Sequence, residues 1–200
     1  VVPNTFTERR ILATRTVIEN TPLTPVQFRD ISAADADYLI ISNEYLRRPT
    51  ADHQDPVKAY GAYRASSQGG AHDTLVMNIR QLYDQFTYGE INSLAIYRFA
   101  RFMYEQDRTK YLFIIGKGLD PSANFHRADF ATQEYKDLVP PSGSPGTDVL
   151  FSSGLSGETY VPAMATGRLT AHEAEEVSAY LNKVIEMEAA PYDALWRKRV

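Results

Sequence analysis

Asp37-Tyr-Leu-Ile-Ile-Ser42 is a continuous apolar run held between polar residues, the pattern of a strand buried on both faces of a parallel sheet. Downstream segments repeat its logic. Asp55 is placed to cap a helix with Pro56 at the first position, where a missing N–H costs nothing, and Gly69-Gly70 ends the unit. A second apolar strand runs over Thr74-Leu-Val-Met-Asn-Ile79, and Asn92 caps a helix whose Ile96, Phe99, Ala100 and Met103 recur at i, i+3, i+4 and i+7. A third strand, Tyr111-Leu-Phe-Ile-Ile115, runs into Gly116-Lys117-Gly118. Residues 119–159 hold no sustained period and include Val139-Pro-Pro-Ser-Gly-Ser-Pro-Gly146, so they read as a long excursion. A fourth short strand is expected around Val161 to Gly167. It leads into a helix with Thr170 and Glu173 as its capping box and Ala174, Val177, Leu181 and Val184 on one face.

Strands that alternate with helices predict an α/β fold, a mostly parallel open sheet with helices on both faces. Upstream, residues 1–35 read as an extended lead-in around Arg10 to Ile18 and a connector broken by Pro22 and Pro25, with the α/β unit over 36–200.

Composition narrows the function. The 200 residues carry 21 Lys+Arg against 25 Asp+Glu, a net charge of -4 with no basic block to neutralise a row of phosphates, which argues against a nucleic-acid partner. No apolar stretch approaches the roughly 18 residues of a spanning helix, so membrane insertion by this segment is not expected. There is no cysteine, which removes disulfides, thiolate metal sites and thiol catalysis from these residues. The start at Val1-Val2-Pro3 and the stop at Trp196-Arg-Lys-Arg-Val200 read as cuts through a longer protein.

No catalytic residue, cofactor-binding residue or metal set stands out. His53, His72, His126 and His172 lack metal-ligand spacing and read as solvent-facing polar residues. Gly116-Lys117-Gly118 lacks the spacing of a phosphate loop, with Pro121 where helix donors would be needed, and reads as a strand-end turn. The serines at 152, 153 and 156 are not set in a nucleophile elbow. Carboxylates are better placed. Asn43-Glu44 stands at the carboxyl end of the first strand, where open α/β sheets gather ligands, Asp120 follows the third strand, and Asp148 lies in the excursion. With no nucleophile beside them, they read as capping or solvated groups, or else as calcium ligands or shapers of a substrate groove.

The order of segments resembles the gingipain-type cysteine peptidases. Asp37-Tyr-Leu-Ile-Ile-Ser-Asn43, Gln81-Leu-Tyr-Asp-Gln-Phe-Thr-Tyr-Gly89 and Leu94-Ala-Ile-Tyr-Arg-Phe-Ala-Arg-Phe-Met-Tyr104 resemble the family's opening strand, turn and helix. Gly167-Arg168-Leu-Thr170, Ala174-Glu-Glu176, Lys183-Val-Ile185 and Trp196-Arg197 resemble its later stretch, so the likeness spans about residues 36–200. Val17-Ile-Glu-Asn-Thr-Pro-Leu-Thr24 is similar to the connector of a narrower group, the type IX secretion sortases that remove carboxy-terminal signal domains. The resemblance implies the first subdomain of a caspase-like peptidase. Its partner would be a second subdomain of the same polypeptide that holds the catalytic His and Cys. It also implies a protein substrate, other secretion-system components as partners, calcium as an admissible ion, and an exported protein at the outer membrane or cell surface. Asn43, Glu44, Lys117, Asp120 and Asp148 become residues that border the cleft. Lys117 departs from the family, which has Gly-Asp where this chain has Gly116-Lys117. That departure supports the alternative of a catalytically inactive scaffold or adhesion module. A free-standing nucleotide-binding domain is a third reading.

Overall fold

The computed structural model describes residues 25–106, 108–120, 135–191, 193, 194 and the isolated position 15. Apart from position 15, the extended lead-in expected around 10–18 lies outside the described residues, as do His126 and the Trp196-Arg197 pair.

Four parallel strands form one sheet: β1 (Tyr38–Ser42), β2 (Thr74–Asn78), β3 (Tyr111–Ile115) and β4 (Ala165–Leu169), in the order β2-β1-β3-β4. Helix α1 (Pro56–Ala65) joins β1 to β2, α2 (Ile79–Thr87) and α3 (Leu94–Tyr104) join β2 to β3, and α4 (Ala174–Ala189) follows β4. β1 is central, with Ile40 aligned to Val76 on one neighbour and Phe113 on the other. All five of its residues are buried.

Alternation along the strands sorts the core into two layers. Leu39, Ile41, Met77, Leu112 and Ile114 face α2 and α3, meeting Leu82, Ile96, Phe99 and Met103. Tyr38, Ile40 and Ile115 face α1 and α4, meeting Val57, Tyr60, Val177 and Leu181. This is the expected α/β sandwich with helices on both faces.

Local chemistry sets the helix ends. The Asp55 carboxylate accepts from the Lys58 N–H at 2.9 Å and holds Arg47 at 2.8 Å, so one residue caps α1 and anchors the 3-10 turn Glu44–Arg47. The helix stops at Ala65, with Ser66 taking the cap ahead of Gly69-Gly70. The Asn92 side chain accepts from the Leu94 N–H at 2.9 Å at the start of α3.

Three sequence expectations are corrected. The second strand ends at Asn78, because Asn78 Oδ1 accepts from the Arg80 N–H at 3.0 Å and starts α2 inside what reads as a turn. A signal for this helix exists, since Ile79, Leu82, Tyr83 and Phe86 fall at helical spacing and Asn78-x-x-Gln81 is a capping box. The fourth strand begins at Ala165, four residues later than expected, with Val161 and Pro162 outside it. The cap of α4 is Glu173, not Thr170, and the Glu176 carboxylate accepts from the His172 N–H at 2.6 Å.

A polar chain ties α1 and α4 to the amino end of the sheet. The Tyr38 and Tyr60 hydroxyls meet at 3.0 Å, Arg64 Nε donates to Tyr60 at 3.0 Å, and Arg64 and the Tyr63 hydroxyl both donate to Glu188 at 2.8 and 2.6 Å. Burial pushes the Tyr38 phenol far up, followed by its bond to Tyr60. At Glu188 partial burial pushes the carboxyl up, and the bonds from Tyr63 and Arg64 outweigh it, holding the group below its usual range.

Glu188 therefore stabilises the fold above the ordinary glutamate value of about 4.3, and that contribution is lost as pH falls through its lower folded value. In urea titrations the stability gap between wild type and Glu188→Gln should be full at neutral pH and shrink in acid, as pH falls below the ordinary glutamate range. A gap that is the same at both pH values would refute this. Phe99→Ala, which empties a fully buried site, should cost about 3–5 kcal/mol. Tyr88 ends α2 at φ 58 with 94% exposure, and Tyr88→Gly should relieve that conformation and raise stability by about 1 kcal/mol.

Candidate functional site

β1 and β3 are adjacent, yet the chain leaves them toward opposite edges of the sheet, from β1 through α1 to β2 and from β3 through the excursion to β4. Such a switch leaves a crevice at the carboxyl ends of the strands, where open α/β sheets bind ligands. All five candidate residues gather around this end of the sheet, but most have structural partners.

Asn43 is 5% exposed. Its Oδ1 accepts from the Tyr45 N–H at 2.9 Å and its Nδ2 donates to the Leu138 carbonyl at 3.1 Å, which joins the end of β1 to the excursion. Glu44 is exposed at the rim and faces Arg80 at 3.7 Å. Lys117 contributes main chain: its N–H donates to the Ala171 carbonyl at 2.8 Å and its carbonyl accepts from Val139 at 3.1 Å. The flanking glycines permit that approach. Gly116 sits at φ 144, and a Cβ on Gly118 would lie 2.7 Å from the Val139 carbonyl oxygen. Gly116-Lys117-Gly118 is thus the strand-end turn expected, seated against the returning excursion.

Asp120 accepts from the Gly146 N–H at 2.6 Å. Asp148 pairs with Arg168 through both oxygens, Nε to Oδ2 at 2.7 Å and a terminal nitrogen to Oδ1 at 2.6 Å. The remaining terminal nitrogen of Arg168 donates to the carbonyls of Gly116 at 2.6 Å and Val139 at 2.7 Å. One guanidinium at the end of β4 therefore holds β3, the returning excursion and Asp148 together. The sequence marks Arg168 only through the family likeness, because a pairing 20 residues apart leaves no local period. Among the described residues no group of three or more His, Asp or Glu is placed to hold a metal ion.

The histidines are not uniformly solvent-facing. His72 is half-buried at the opposite end of the sheet, with Nδ1 3.2 Å from Asp37 and its ring edge-on to Tyr111 at 5.1 Å. His53 is half-buried, with Nε2 enclosed and lacking a hydrogen-bond partner among the described residues. His172 is exposed as expected.

Two openings flank the clamp among the described residues. One, of about 210 Å³, lies between Gly118, Asp120, Gly146 and Arg168. The other, of about 440 Å³, is lined by Asn43, Glu44, Tyr45, Arg48, Arg80, Tyr135 and Leu138. Its volume lies within the range of ligand pockets. Sequence reasoning finds the acidic and amide members of this wall and misses Tyr45, Arg48, Arg80 and Tyr135, which come from three separate segments.

The molecule is thus a three-layer α/β domain with a polar crevice at its topological switch. The model of peptidase family C25 matches residues 31–200, and the chain belongs to that family. No curated protein matches the chain. Among solved structures, the crystal structure of dimeric latent PorU from Porphyromonas gingivalis is similar, with a TM-score of 0.61 and 18% identity. The similarity covers 82% of this chain and 17% of that one. At this identity it is a likeness of fold. The chain spans about 17% of the length of the PorU chain. Among the described residues no helix is long and apolar enough to cross a membrane.

Arg168→Lys should destabilise the domain by about 2–3 kcal/mol, because an ammonium cannot reproduce the fork on Asp148 and also reach two carbonyls. Asp148→Asn should cost less, since both carbonyl bonds survive. Urea unfolding of both variants checks the order, and a lysine variant as stable as wild type would refute the clamp.

Proposed function

We propose that this chain is the non-catalytic first subdomain of a C25 cysteine endopeptidase of the type IX secretion sortase kind, which removes carboxy-terminal signal domains from exported proteins. The carrying observation is the family match over 31–200 in a chain with no cysteine. A cysteine peptidase works through a thiolate that attacks the carbonyl, an imidazole that moves the proton, and backbone N–H groups that hold the oxyanion. The thiolate is supplied by polypeptide outside these residues. In this reading the imidazole comes with it, from a second subdomain docked beside the crevice.

The chain's own part is positional. Its parallel sheet forms a stiff floor, and Arg168 fixes the excursion at the edge where substrate and second subdomain would meet. The parent acts on protein substrates at the cell surface, alongside other secretion components.

One observation favours a second reading, an inactive scaffold with the same fold: Lys117 stands where the family has an acidic residue, and its main chain is committed to Ala171 and Val139.

The test compares this chain with its full-length parent on a reporter joined to a carboxy-terminal signal domain, with and without calcium. The chain alone should give no cleavage. The parent should release the reporter, and a thiol alkylator should stop it. Hydrolysis by the chain alone would overturn the proposal, and a folded parent with no thiol-dependent cleavage would decide for the scaffold.

A further inference from the structure

The 440 Å³ opening beside β1 has a charge balance that its structural partners do not use up. Arg48 comes directly after the 3-10 turn Glu44–Arg47, is exposed, and lies over the Tyr45 ring at 4.1 Å from its centroid. Stacking on an aromatic face holds a guanidinium in place while leaving its N–H edges open. Its neighbour Arg47 is neutralised by Asp55 at 2.8 Å. Arg48 has no ion pair among the described residues. Across the opening, Arg80 sits in the first turn of α2 and faces Glu44 at 3.7 Å. Among the residues that line the opening, one carboxylate, Glu44, faces two guanidiniums, Arg48 and Arg80; Glu44 pairs with Arg80, and one positive charge is left over, at Arg48.

We infer that this pocket receives an acidic side chain, aspartate or glutamate, presented by an extended polypeptide, with Arg48 as its anion partner. Three features select that occupant. A single guanidinium with open edges matches the two coplanar oxygens of a carboxylate, and one surplus charge balances one carboxylate. A dianionic phosphate would leave a charge uncompensated. Tyr45 and Tyr135 give the walls broad amphipathic surfaces for the stem and main chain of a peptide. The opening also lies at the carboxyl ends of the strands, at the topological switch, on the surface the proposed function turns toward substrate. The inference rests on that function for the polypeptide nature of the occupant, and on the charges alone for its acidity.

The test is a binding titration with the chain itself, using fluorescent peptides acetylated at one end and amidated at the other that differ in one central residue, Glu or Gln. A third probe carries Gln at the centre and a free terminal carboxylate, which separates a side-chain acid from a chain terminus. The Glu peptide should bind about tenfold more tightly than the Gln peptide, with the advantage shrinking in high salt. Arg48→Gln should abolish that difference and leave Gln-peptide binding unchanged. Arg48→Lys should keep part of it. Glu44→Gln should tighten binding of the Glu peptide about twofold, because it removes the rim carboxylate. A purely structural role for Arg48 would not weaken binding of the Glu peptide while leaving the Gln peptide unchanged. Thermal unfolding confirms that each variant is folded.

Equal affinity for the Glu and Gln peptides would overturn the inference. So would an Arg48→Gln variant that still discriminates, a preference for the free terminus over the internal acid, or displacement of the Glu peptide by inorganic phosphate at equal concentration. Cleavage by the parent is a separate readout. A parent that cleaves without this discrimination fails the pocket alone, and a chain that discriminates within an inert parent fails the peptidase reading alone.

Discussion

Everything in this domain is arranged around the double burial of β1. A strand hydrogen-bonded on both edges and covered on both faces leaves no position for an uncompensated polar group, and Tyr38–Ser42 meets that demand with a tyrosine, three aliphatic residues and one buried serine. Both layers must then be filled. Leu39 and Ile41 require the α2 and α3 pair on one side, and Tyr38 and Ile40 require α1 and α4 on the other. The aromatic series Tyr60, Phe113 and Tyr180, with centroids 5.0 and 5.9 Å apart, fills the wider gap over β3. On the outer edge of β2, Arg29 donates to the Val76 carbonyl at 2.8 Å, covering part of an edge that would otherwise present open main chain.

That constraint also makes the crevice. A central strand whose chain leaves toward one edge of the sheet, beside a strand whose chain leaves toward the other, cannot have its carboxyl end roofed by either connection. The gap has to be braced by side chains that reach across it. Asn43 does this from β1 and Arg168 from β4. Both are largely withdrawn from water and each donates a side-chain N–H to a main-chain carbonyl of the excursion. A charged fork that satisfies two carbonyls and a carboxylate at once is stable only because every oxygen around it is needed.

The legible parts of the sequence are those governed by short-range rules. β1 and β3 show as apolar runs, α1 as an aspartate and proline start, and α3 as four apolar residues at helical spacing, all at 0% exposure in the fold. α2 escapes such a reading because it begins directly after Asn78, which is both the last strand residue and the helix cap, so two periods meet with no turn residue between them. The start of β4 is displaced because Val161 and Pro162 look like strand yet stay outside the sheet, where Ser153 pairs with Pro162 as an isolated bridge. The cap of α4 shifts by three residues because Thr170 and Glu173 satisfy the same local pattern as Glu173 and Glu176, and only the course of the chain out of β4 separates them. His72 reads as a surface residue because its partner Asp37 is 35 positions away.

The candidate site shows the same division at the level of charge. Carboxylates are conspicuous in a sequence because they are natural ligands and acids, so attention falls on Glu44, Asp120 and Asp148. In the fold Asp120 and Asp148 are spent on holding the excursion, to Gly146 and to Arg168, and a group so committed is a poor partner for anything that arrives from solvent. The surplus lies with a residue of opposite sign that no motif marks, Arg48 after the turn that follows β1, in an opening whose other walls come from the start of α2 and the returning excursion. Under the proposed function, a domain without a cysteine would still shape a peptide reaction, because a fixed charge beside a cleft acts on how the chain is presented, not on the bond that breaks. The geometry of the crevice separates two kinds of charge: scaffold carboxylates are turned inward to brace it, and one guanidinium, stacked on Tyr45, is left exposed and without an ion pair among the described residues.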